Sequence, residues 1–176
     1  MSDATDLQAL CVELLAAAVD ALDTVPLADS ALLGAPERRY VSPGQPALDC
    51  CDELSVYASA IGEYADPRLP SSGRRIAAHI SLITLIITAS RCVHVMQEDG
   101  DPPLAGDLER DAAQINADGW ALWNHLYNLW RSGLLFTLCG EVFWDGLRAL
   151  APSGGCAGWQ FVIRASLNGY EDVASS

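Results

Sequence analysis

Residues 117–130, ADGWALWNHLYNLW, form the middle of the longest helical pattern in the chain. Leu108, Ala112, Ile115, Gly119, Leu122, Leu126 and Leu129 recur at steps of four and three, which sets them on one face of an α-helix. Beside them Trp120, Trp123, Tyr127 and Trp130 step by three, four and three, a second stripe turned by about 100°. A single sheet needs only one apolar stripe. Two predict a helix that packs on its own sheet and also meets a second surface: the N-terminal helix, a long loop or another copy of the chain.

Working outward, the helix is expected from about residue 104 to 133, opened by Pro102 and Pro103. Unbroken, about 30 residues would span about 45 Å, so a bend or a projecting end is expected. Gly119 inside it implies a close packing neighbour. Upstream, residues 76–95 are rich in β-branched side chains and apolar on both sides, as in a central strand. Residues 48–64 alternate like a strand with one covered face, and the short link at 65–73 implies an antiparallel pair. Downstream, residues 142–149 and 158–167 read as the arms of a hairpin. An amphipathic helix over residues 3–23, capped by Asp3 or Thr5, opens the chain. Residues 26–47 form a long Pro-rich segment around Arg38, Arg39 and Tyr40, and residues 171–176 a short acidic tail. The expected architecture is a single α+β domain over residues 1–176, in the order α-β-β-α-β-β. It has a four-stranded, mainly antiparallel sheet, a long helix across one face and an N-terminal helix.

The 176 residues suffice for one substantial core. The net charge is −13 and all ten basic residues are scattered arginines, which argues against a grip on nucleic acid. The apolar run at 76–88 is too short and too polar to span a membrane, and the first residues lack the basic start of a signal peptide. A protein made in the cytoplasm, which stays there or leaves by another route, is expected. The six cysteines show no metal-knuckle spacing and read as buried free thiols, with a single structural disulfide as the alternative.

Catalysis requires groups that converge, and no nucleophile elbow, phosphate loop, zinc helix or dinucleotide fingerprint is present. Of the three histidines, His79 and His94 fall on a strand and His125 on the long helix. His94 with Cys92 shares one side of that strand but lacks a third, orienting group. Asp99 and Asp101 supply only half of a calcium loop. Asp107, Glu109 and Asp111 suit the positive end of a helix. The chain is therefore read as no enzyme, with no cofactor and no metal.

Several stretches carry a resemblance: DCCDELSV at 49–56, RCV at 91–93, ADGWALW at 117–123, GGCAGW at 154–159 and LNGY at 167–170. On these the chain resembles the tail terminator and head-to-tail connector proteins of actinobacterial long-tailed phages. The resemblance implies a structural virion protein built on a small sheet with helices. Six copies would form a ring that caps the tail tube and joins it to the head-side connector. The implied partners are further copies of the chain, the major tail tube protein and the connector or stopper. DNA would pass nearby without specific binding. The implied location is the head–tail junction of the virion, with the host cytoplasm during assembly. The neighbouring stopper or adaptor ring, or a tail-assembly binding module outside the virion, is the alternative. The expected interface residues are Arg38, Arg39, Tyr40, Pro67, Arg68, Trp120, Trp123, Tyr127, Trp130, Ser153, Gly154 and Gly155.

Overall fold

The computed structural model describes residues 4–23, 34–46, 52–65, 79–96, 100–135, 139–153 and 155–167. The elements are α1 (Ala4–Asp23), β1 (Arg38–Val41), β2 (Glu53–Ala65), β3 (His79–Cys92), α2 (Ala105–Arg131), β4 (Cys139–Ser153) and β5 (Cys156–Leu167). The α+β class holds, but the sheet has five strands, in the order β1-β2-β3-β5-β4. The additional strand is β1, inside the Pro-rich segment expected to be loop. Its four residues pair parallel to the start of β2, with Arg38 opposite Glu53 and Val41 opposite Val56. Four residues are too few to show an alternating period, so only the partner strand defines it. The remaining pairs are antiparallel.

Strand β3 is central, as its two-sided apolar run implies, lying between β2 and β5. One sheet face carries Leu54 and Val56 of β2, Ile83, Leu85, Ile87 and Ala89 of β3, and Phe161, Ile163 and Ala165 of β5. Both helices share this face. Leu10, Leu14, Ala18 and Leu22 of α1 meet Leu122 and Leu126 of α2 over it, all fully or almost fully buried. Together they make one contiguous core, dominated by burial of large aliphatic side chains at about 25 cal/mol per Å². The Asp3 or Thr5 cap expected for α1 lies on side chains outside the described residues.

The opposite face departs from expectation. Residues 48–64 read as a strand covered on one side only, yet Glu53, Ser55 and Tyr57 are buried, as are Leu54 and Val56 behind them. Thr88 and Ser90 of β3 and Cys156 of β5 are buried on that same second face. Polar alternation signals the side turned from the main core; it does not show that this side is wet.

Helix α2 is capped at its C-terminus by a Schellman arrangement. Gly133, at φ +70°, donates to the Trp130 carbonyl, and Leu134 donates to the Leu129 carbonyl. Its other end projects, as the length argument anticipated. Leu108 and Ala112, placed on the buried stripe by their spacing, are exposed, and tight burial begins only at Asp118 and Gly119. The stripe's period is right, but the sheet ends before the helix does. The hairpin is longer than its alternation suggested. Strand β4 runs through to Ser153, which pairs with Cys156 across a tight turn, with Gly155 at φ +80°. Register shifts between Cys139 and Val142, Trp144 and Gly146, and Leu150 and Ser153 break the period that would have revealed the full strand.

Candidate interface at one end of the sheet

The second stripe of α2 meets a strand first. Trp123 and Tyr127 stack with ring centroids 5.7 Å apart, and Trp144 of β4 meets Trp123 edge-on at 5.6 Å and Trp130 at 5.9 Å. Phe161 closes the group 4.5 Å from Trp144. The Trp130 indole donates to the Val142 carbonyl at 3.1 Å. Three of the four aromatic candidates on α2 thus seat the helix on β4 within the chain and are half-buried. Trp120 is different: it is 68% exposed and takes part in none of these ring contacts.

The β1 candidates also make their contacts within the chain, although Arg38 and Arg39 stay exposed. Arg39 donates to the Pro36 and Ala35 carbonyls at 2.6 and 3.0 Å, which shapes the turn into the strand. Tyr40 donates to the Glu53 carboxylate at 3.2 Å, and Arg38 stands 3.8 Å from the same oxygen, its guanidinium over the Tyr40 ring. Arg38 keeps half its side chain in solvent. Pro67, Arg68 and Gly154 lie outside the described residues, and the Ser153 side chain does too.

Gly155 lies in a more telling place. Its carbonyl accepts from the Val93 amide at 2.8 Å, which fastens the β4–β5 turn to the chain leaving β3. One residue on, the His94 amide donates to Asp111 of α2 at 2.7 Å, and the His94 Nδ1 lies 3.0 Å from the same carboxylate oxygen. These contacts gather the turn, residues 93–96 and the projecting part of α2 at one end of the sheet. Val95 and Met96 are exposed there, as are Leu108 on the helix (47%) and Leu104 at its N-cap (74%). Four large apolar side chains on linked segments form a candidate docking surface.

Behind this surface lies an ionic node absent from the expected sites. Arg91, at the end of β3 on the helix side, is buried. Its Nε donates to Asp118 of α2 at 2.7 Å, its Nη1 to Asp52 at 2.6 Å and its Nη2 to the Gly34 carbonyl at 2.8 Å. Asp118 also accepts from Gln114 at 3.0 Å. Burial alone would lower the Arg91 pKa, but the carboxylates of Asp118 and Asp52 outweigh it, and the net shift is upward. Asp52 holds the left-handed conformation at φ +65°, a strained position for a side-chain-bearing residue. The node binds β3, α2 and the turns before β1 and β2 into one unit. The available signals were Arg91 in a strand end and Asp118 between apolar helix positions, and neither names its partner.

The cysteines require one correction: Cys156 is disulfide-bonded, while Cys11 is a buried free thiol. Burial pushes the Cys11 thiol pKa up. Set beside known proteins, the sequence matches no protein-family model and no curated protein.

Proposed function

We propose that the protein is a structural subunit of a phage tail end, forming a ring that caps the tail tube and joins it to the head-side connector. The observation that supports this reading best is the projection of α2. Its apolar stripe continues beyond the sheet through exposed Leu108 to exposed Leu104, and Asp111 on the same stretch ties it to the segment that carries exposed Val95 and Met96. A ring requires two different surfaces of each subunit to meet and the rotation to close. The projecting helix end is one such surface, and Trp120 lies farther along the same helix. The node around Arg91 keeps the end stiff, so that docking orders few side chains and loses little entropy. The motif likeness to tail terminators supplies the biological setting. The charge of −13 suits a channel through which DNA slides without adhering. No helix among the described residues is long and apolar enough to cross a membrane.

The test is assembly. Native mass spectrometry of the protein, alone and mixed with purified tail tubes, should show a species of roughly 110 kDa or its formation on the tube, six copies being a closed ring. Leu104→Glu with Leu108→Glu should abolish that species and leave the circular dichroism melt unchanged. A wild-type monomer that also fails to bind tubes refutes the reading.

A further inference from the structure

On the sheet face opposite the helices, four oxygen-bearing side chains stand together. Glu53 and Ser55 project from one side of β2, and Ser90 and Thr88 face them from β3, in the register Glu53 to Ser90 and Ser55 to Thr88. Directly opposed residues have Cβ atoms about 5 Å apart, and alternate residues along a strand lie about 7 Å apart. The four side chains therefore mark the corners of one small rectangle. All four are buried, with Glu53, Ser55 and Ser90 at 0% exposure. Among the described residues, Glu53 Oε1, Ser55 Oγ, Thr88 Oγ1 and Ser90 Oγ each have no hydrogen-bond partner. The three hydroxyls are free to rotate, yet none reaches the carboxylate or another hydroxyl. The four oxygens thus lie on one face of two paired strands without bonding one another.

Buried polar groups in native proteins find partners, and buried charges find opposite charges. The known neighbours of Glu53 all lie on its other oxygen: Tyr40 donates to Oε2, and half-exposed Arg38 is 3.8 Å from it. We propose that Glu53 Oε1 and the Ser55, Thr88 and Ser90 hydroxyls bind a monovalent alkali cation, sodium or potassium. The donor set is all oxygen, which selects hard cations over zinc or copper. It carries one negative charge, shared with half-exposed Arg38 on Oε2, so a monovalent ion buries less excess positive charge than a divalent one would. The ion joins β2 to β3 beside the start of β1, a structural role that does not depend on the ring reading.

The experiment is a thermal melt of the whole protein in sodium, potassium and tetramethylammonium chloride at equal ionic strength. Sodium or potassium should raise Tm by several degrees over tetramethylammonium, as mass action requires of an ion bound only by the folded state. Glu53→Gln should erase the difference, and Ser55→Ala, a gentler change, should shift the ion concentration at half-effect upward about tenfold. Anomalous diffraction from wild-type crystals grown in rubidium chloride provides a readout that does not depend on any variant folding. A peak between the four oxygens is expected. Equal Tm in all three salts, a response to calcium but not to sodium or potassium, or the lack of a rubidium peak overturns the assignment.

Discussion

Arg91 and Asp118 show how one residue pair sets the geometry of a surface it does not touch. Both are buried; removing Arg91 would leave Asp118 without its counter-charge, and removing Asp118 would leave Arg91 with Asp52 alone. Breaking a buried pair by deleting one partner costs about 3–5 kcal/mol, whereas replacing both by apolar groups is often neutral. Asp118→Ala should therefore lower unfolding free energy by about 3 kcal/mol in urea titrations. Combining Arg91→Met with Asp118→Leu should recover much of that loss. A double variant as weak as the single one would mean that the Asp52 and Gly34 contacts carry the stability instead. Neither residue was legible as a site. A lone arginine in a strand and a lone aspartate in a helix acquire meaning only when two turns bring further acceptors to them.

At the scale of elements, the seating of α2 depends on Gly119. A Cβ built there would lie 2.5 Å from the Trp159 indole nitrogen, which itself donates to the Ile115 carbonyl at 2.7 Å. The sequence predicted a close neighbour at this glycine, and Trp159 of β5 is that neighbour. Helix propensity alone favours Gly119→Ala by about 1 kcal/mol. Overpacking against a ring held by its own hydrogen bond costs about 1–3 kcal/mol. The net expectation is destabilisation, read as a lower urea midpoint with a blue- or red-shifted tryptophan emission. A more stable Gly119→Ala protein would show that Trp159 moves aside. The first turns of α2 were misread for a related reason. Periodicity shows which side of a helix is apolar, but where the sheet stops is not encoded in the helix.

For the whole molecule, the two-sided burial of the sheet has a consequence at alkaline pH. Desolvation by burial raises the pKa of Cys11 in the helix core and of Tyr57 on the opposite face. Each folded-state pKa lies above its unfolded value, so the folded state holds the proton more tightly. The associated stability is fully present below the unfolded values, about 8.5 for a thiol and 10 for a phenol. It is lost as pH rises through the folded ones. Urea midpoints should accordingly fall between pH 8 and pH 11, and the fall should be shallower in Tyr57→Phe. An equal decline in wild type and variant would show that Tyr57 ionises without penalty.

The sequence by itself determined the helical stripe at 117–130, the central strand, the antiparallel hairpins and the α+β class. All of these follow from local period and turn chemistry, which neighbouring residues carry among themselves. The tertiary structure alone decided the rest. It made a parallel edge strand of Arg38–Val41 and buried Glu53 and Ser55 on a second face. It closed Arg91 between two aspartates and left Leu104 and Leu108 beyond the edge of the sheet. The physical reason is common to these cases. Burial and ionic pairing are properties of the space between distant segments, and a periodic pattern specifies a face without specifying what will lie against it.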